Sequence, residues 1–261
     1  MIEESAAMVE NEAPLADVEA EAARLLRKAG EAKVLVRLLG GTAVGLHRHR
    51  PRPPALDRRY GDIDVVVRKS QDRGLKRVLT DLGYVPNRSF NNLHGDRRLL
   101  FYDEQNGRQL DVFIGTFRMC HSLELDDRLE LNPQTLAPAD LLLTKLQIVK
   151  INHKDIVDAL ALVLDHEIGD ERTGDVIDID RLVEVTARDW GWYTTFTDNL
   201  SRLSPVPELG LPAADASDIT GRVTTIRHAL ETARKSLQWR ARAAVGRRMP
   251  WYELPEEIVR G

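Results

Sequence analysis

The sequence predicts an α/β half followed by a mainly helical half, and three observations carry that expectation. Short apolar, β-branched runs at residues 34–39 and 63–67 are bounded by glycine or charge, as strands are. Asn106-Gly107 stands between two further apolar runs, a strong short-range hairpin signal. After Asn132-Pro133 and Ala137-Pro138 the apolar residues recur at helical spacing.

The elements follow in order. Residues 1–21 hold seven acids and no base, so residues 1–24 read as an acidic tail entering a helix over about 18–28. The run at 34–39 stops at Gly40-Gly41, and a helix begins near Thr42-Ala43. Residues 63–67 form the next strand, and 72–83 a helix. Two strands, 97–103 and 108–114, flank the turn at 104–107. The α/β domain thus spans 25–132 and the helical domain 133–261. In the latter, helices are expected at about 139–150, 154–166, 179–202 and 216–246, with a rigid proline-rich loop over 204–212.

Composition excludes several classes. No apolar run approaches the roughly eighteen residues that cross a bilayer, and no basic segment followed by an apolar one marks a secretory signal. A single cysteine, Cys120, forms no internal disulfide and fits a cytoplasmic protein. His47 and His49 in an arginine-proline loop read as solvated, and no structural zinc site is expected. Cys120-His121 has nothing to orient it as a nucleophile pair.

Chemistry concentrates at Asp62-Ile63-Asp64. Side chains alternate along a strand, so both carboxylates share one face while Ile63 and Val65 share the other. Such a pair is unfavourable unless a cation lies between them or one carboxyl keeps its proton. With a third acid it suits Mg²⁺, and Mg²⁺ commonly brings phosphates. A strand end carrying two solvated acids is the simpler alternative. Gly40-Gly41 before a helix is either a plain turn or a phosphate cradle of bare backbone amides. Asp111, alone among Leu110, Val112 and Phe113, is either an edge-strand charge or a third ligand.

Taken together, Gly40-Gly41-Thr42-Ala43, Asp62-Ile63-Asp64 and Leu110-Asp111-Val112 resemble the nucleotidyltransferase superfamily of the DNA polymerase β type, most closely its AbiEii and MenT toxin-like group. The resemblance covers roughly residues 30–165 and rests on three motifs in the family's order. It implies a nucleotidyltransferase-fold mixed sheet with flanking helices. It also implies two Mg²⁺ ions on Asp62, Asp64 and Asp111, with a nucleoside triphosphate such as ATP as substrate. Gly40, Gly41 and Thr42 would then cradle its phosphates, with Arg59 in reach of one. Lys145, on a later helix, would neutralise the nucleotide, with Asp158 and Asp155 orienting it or meeting the acceptor. On residue pattern alone, Lys145 is equally a solvated face of an apolar helix, and Lys154 with Asp158 a surface i,i+4 pair. Arg58-Arg59-Tyr60-Gly61 departs from the family's Arg-x-Ser or Arg-x-Thr, and the link from Gly41 to Asp62 is long.

The acceptor implied is RNA, a tRNA above all, in a toxin–antitoxin setting with an antitoxin partner. Small aminoglycoside-type acceptors are the competing case, and a nucleotide-binding module without turnover a third. A Mn²⁺-dependent glycosyltransferase with a surface D-x-D is disfavoured by the upstream glycines. Residues 222–248 bear on the choice: eight Arg or Lys stand there against Glu231 alone, although net charge is −4. That stripe either receives RNA backbone or packs back on acidic parts of the chain.

Overall fold

Asp17 starts the first described helix, α1 (Val18–Glu31), by accepting the Ala20 amide, with Glu19 and Glu21 at the positive end of the dipole. This computed structural model describes residues 13–170, 175–203 and 209–255. Part of the acidic tail (1–12) and of the proline-rich loop (204–208) lies outside them. Residues 18–24, expected within the tail, are turns of a packed helix. Glu21 is fully buried and accepts from Arg24 Nε and Nη2 (2.8 and 2.9 Å) and from the Tyr84 hydroxyl (2.9 Å). A buried carboxylate persists only with such partners.

One five-stranded mixed sheet holds the N-terminal half. Its strands are β1 (Val36–Leu39), β2 (Ile63–Val67), β3 (Val85–Pro86), β4 (Arg98–Asp103) and β5 (Arg108–Ile114), in the order β1-β2-β5-β4-β3. β2 and β5 run parallel and the other neighbours antiparallel. The expected hairpin is present, with Asp103 opposite Arg108 and Gly107 at φ +64°, a value that favours glycine. The short helix α2 (Gly40–Leu46) follows β1 directly, α3 (Asp72–Asp81) packs with α1, and α4 (Arg88–His94) lies against β4.

The ribbon of β6 (Thr116–Arg118) and β7 (Ser122–Glu124) leads to the helices. These are α5 (Pro138–Leu146), α6 (His153–Asp165), α7 (Ile179–Arg188), α8 (Trp190–Ser201), α9 (Ala213–Thr232) and α10 (Leu237–Val245). A minimal parallel pair, β8 (Ile168–Gly169) and β9 (Ile177–Asp178), precedes α7. The helix expected over 179–202 divides at Asp189, whose side chain accepts the Trp192 amide. The one expected over 216–246 divides before Ser236, which accepts the Trp239 amide. Short polar side chains offer the backbone an alternative to helical pairing, and here they restart it.

No gap in packing marks residues 132–133. Leu38 of β1 bridges Thr135, its amide donating to the Gln134 carbonyl at 2.9 Å. A single apolar core joins Leu38, Val65 and Val112 of the sheet to Leu142, Leu160 and Phe196 of the helices. Among the described residues no helix is long and apolar enough to cross a membrane.

Candidate active site

The strand register makes the first contribution. Asp64 of β2 and Asp111 of β5 are cross-strand partners in the parallel pair, so their side chains leave the same face side by side. Asp111 is buried, Asp64 half-buried and Asp62, just before β2, exposed. Burial, then the Asp111 carboxylate, pushes the Asp64 carboxyl up to about 7, against an opposing pull from Lys145. Asp64 is therefore a carboxyl whose charged form lacks sufficient compensation.

Asp111 is neither free nor at an edge, because β5 lies between β2 and β4. Arg98 Nε donates to its Oδ1 at 2.9 Å and Gln109 Nε2 to its Oδ2 at 2.8 Å. The Arg98 guanidinium also lies 5.1 Å from the Phe113 ring centre. Sequence reasoning passed over Arg98, whose only signal is an arginine inside an apolar strand across from the Asp111 strand.

The glycine turn is shaped around these groups. Gly40 has φ +69°, and a Cβ there would run into the Asp64 carboxylate. A Cβ on Gly41 would come within 2.5 Å of Arg58 Nη2, and one on Gly45 within 2.8 Å of Tyr60. Bare backbone is thus required at these positions by packing within the chain. We expect Gly40→Ala to cost about 1–2 kcal/mol from backbone conformation alone. The added methyl displaces Asp64 besides, so the loss read from the denaturant midpoint should exceed that figure. Thr42 takes a different place from that of a phosphate contact: its hydroxyl donates to the Asp62 carbonyl at 2.8 Å, setting the backbone of the D-x-D segment. No side chain caps the first turn of α2, so its leading amides are left to another acceptor.

Lys145 is not on a solvated face. Every residue of α5 is buried, and Lys145 Nζ donates to Asp155 Oδ1 at 3.0 Å and pairs with Asp158 Oδ2 at 2.9 Å. Asp158 is fully buried, and its partners are Lys145 and Arg58 in place of the expected Lys154. Arg58 grips it through Nε and Nη2, both at 2.7 Å, while lying over Tyr60. Burial raises the Asp158 carboxyl, but Arg58 and Lys145 outweigh it and hold the group below the usual carboxylate range. Burial likewise lowers Lys145, and the two aspartates reverse that and raise it.

Of the two adjacent arginines, then, Arg58 is committed to the fold. Arg59 is exposed and lines a cleft of about 520 Å³ with Arg48, Arg58 and Arg108. That cleft reaches Gly61, the residue before Asp62, and Asp17, Glu19 and Asp57 also border it.

The basic C-terminal stripe is divided. Arg222 donates to the Val163 and Leu164 carbonyls, Lys235 to Ala233, Arg242 to Gly246, and Arg247 pairs with Asp198. Arg234, Arg240 and Arg248 are exposed, with no polar partner among the described residues. A second cleft, of about 900 Å³, is lined by Trp190, Trp239, Trp251 and Tyr252 beside Arg188 and Arg242.

Two further expectations meet the structure differently. Cys120 and His121 are buried packing residues, His121 bonded to Thr195 at 2.9 Å. His47, read as a solvated loop residue, is buried, and His166 joins it and His49. These three form the one trio among the described residues whose ligand atoms all lie within 4.8 Å of one another. His166 is some 120 positions away in sequence, beyond any local spacing rule. No protein-family model and no curated protein matches this chain.

Proposed function

We propose that this protein is a Mg²⁺-dependent nucleotidyltransferase that moves a nucleoside monophosphate from a nucleoside triphosphate to RNA, of the tRNA class, in a toxin–antitoxin-like setting. The observation that carries this reading is the pairing of Asp64 with Asp111 on parallel neighbours, with the Gly40 turn folded against Asp64. The sequence motifs that resemble the DNA polymerase β superfamily are the same residues.

By donor chemistry, three carboxylates are what a hard divalent cation takes. Asp62, Asp64 and Asp111 offer only carboxylate oxygens, and the raised Asp64 carboxyl is the group whose ionisation a cation favours most. Mg²⁺ held there supplies charge neutralisation to a triphosphate and to the transferring phosphorus. Arg98 and Gln109 orient Asp111, and Thr42 holds the Asp62 backbone. Lys145 has a third N–H beyond its two aspartates for a phosphate oxygen, and Arg59 faces the neighbouring cleft.

RNA as acceptor is supported by the aromatic-lined cleft with Arg188 and Arg242 at its wall, since stacking faces beside cations suit unpaired bases, and separately by the exposed Arg234, Arg240 and Arg248, which suit phosphates. A small aminoglycoside-type acceptor is the second reading, favoured by the internal pairing of Arg222, Lys235, Arg242 and Arg247. The deciding assay offers Mg²⁺, each of four labelled nucleoside triphosphates, and either total tRNA or an aminoglycoside panel. Label should enter tRNA, and log affinity for tRNA should fall against log salt with a slope of about −2 to −3 if three arginines each neutralise a phosphate. Label in an aminoglycoside instead replaces the acceptor, and no transfer to any acceptor ends the enzymatic reading.

A further inference from the structure

The histidine trio lies at the far ends of two helices, α2 and α6, that contribute residues to the candidate active site. His47 follows α2, whose first residues are Gly40 and Gly41, and His166 follows α6, which bears Asp155 and Asp158. His49 comes from the loop just beyond α2 and is exposed. The His166 ring stands 4.8 Å from that of His47 and 4.9 Å from that of His49, both edge to face.

Hydrogen bonds assign the tautomers of the two buried rings. His166 Nδ1 lies 2.8 Å from the Asp175 carbonyl. A carbonyl only accepts, so Nδ1 carries the proton and Nε2 keeps a bare lone pair. That Nε2 is buried and has no partner, in a residue only 1% exposed. An unmatched acceptor in the interior is unfavourable unless something binds it. His47 Nε2 faces the Leu136 carbonyl at 3.2 Å and the Thr135 hydroxyl at 2.6 Å; a proton on Nε2 serves the carbonyl, which only accepts, and that tautomer offers Nδ1 to a ligand. An imidazole with one N–H anchored on a carbonyl and the other nitrogen bare is how metal-binding histidines are held.

We propose that His47, His49 and His166 form a binding site for a divalent transition metal, Zn²⁺ foremost, that is separate from the candidate nucleotidyl site and fastens the end of α2 to the end of α6. Three imidazoles and one open position suit Zn²⁺ better than Mg²⁺, which prefers oxygen ligands. Closing the trio on Zn²⁺ at ~2.0–2.1 Å brings the nitrogens to about 3.3 Å from one another. The exposed His49 side chain is the one free to swing inward. The nearby cation, Arg52, is already neutralised by the buried Asp165, 2.7 Å away.

The test uses the full chain, stripped with a chelator and titrated with Zn²⁺ and Co²⁺ by calorimetry and visible absorption. One equivalent of each should bind, and Co²⁺ should give the intense visible bands of a four-coordinate site. His49→Ala alters an exposed side chain, so the fold should persist while Zn²⁺ affinity falls by ~100-fold or more, since even outer-shell partners account for 10–100-fold. His166→Gln should abolish binding, and Asp64→Asn should leave it unchanged. Absence of a one-equivalent site overturns the proposal. So does a site whose affinity is unchanged in His49→Ala, or one lost in Asp64→Asn, which would place the metal on the aspartates.

Discussion

Asp64→Asn is expected to make the protein more stable and catalytically inactive at once. With no divalent cation present, its melting temperature at pH 8 should rise above that of the parent chain. The sign follows from the carboxyl being raised to about 7 from an ordinary value of 3.8. The folded state then binds the proton more tightly than the unfolded state, so stability falls as pH climbs through that interval. Above it the charged carboxyl is a burden, and an amide of the same shape removes it. Each tenfold difference in proton affinity between the two states is worth about 1.4 kcal/mol, so a gain of about 2 kcal/mol or more at pH 8 is expected. Nucleotidyl transfer should meanwhile drop by ~10³-fold or more, the scale on which single charge-stabilising groups act in phosphoryl transfer. Mg²⁺ should stabilise the parent chain and not the variant. Transfer that persists in the variant, or a fall in its melting temperature at pH 8, contradicts the role given to Asp64.

Asp158→Ala should have the opposite effect on stability. Its carboxylate is the shared anchor of Arg58 and Lys145, at 2.7 and 2.9 Å, and is fully buried. Removing one member of a buried charge cluster costs about 3–5 kcal/mol, because the others keep their desolvation penalty. For a chain of this size that lowers the melting temperature by roughly 10 °C. The folded Asp158 carboxyl sits below its ordinary 3.8, so its contribution is present above about pH 4 and vanishes as pH falls further. Parent and variant stabilities should therefore converge in acid and diverge toward neutrality. A loss under about 1 kcal/mol at pH 7 would reduce the cluster to a surface-type pairing.

Much of the candidate site was legible locally. The two-residue repeat of a strand puts Asp62 and Asp64 on one side, of which Asp64 lies within β2 and Asp62 just before it, and Asn106-Gly107 announced the hairpin that delivers Asp111. Gly40 was legible as a turn glycine, though its reason, the close approach of Asp64, was not. Other groups carried misleading signals. Lys145 looked like the polar face of an amphipathic helix, yet α5 is buried all round and the lysine meets two aspartates. Arg58 carried no signal of its own, yet it is the arginine that crosses to Asp158. Asp189 and Ser236 read as ordinary polar positions within helical patterns and proved to be caps that begin new helices.

The sequence by itself determined the types of the longer elements, the carboxylates available and the alternation of faces along a strand. Those depend on backbone periodicity and on turn residues a few positions apart. Tertiary structure alone decided that β5 lies parallel beside β2 in the register that sets Asp111 against Asp64, that Arg58 reaches Asp158, and that His166 meets His47. Each of these joins residues distant in the chain. Their meeting is settled by how helices and strands share one apolar core, and no short-range pattern records that.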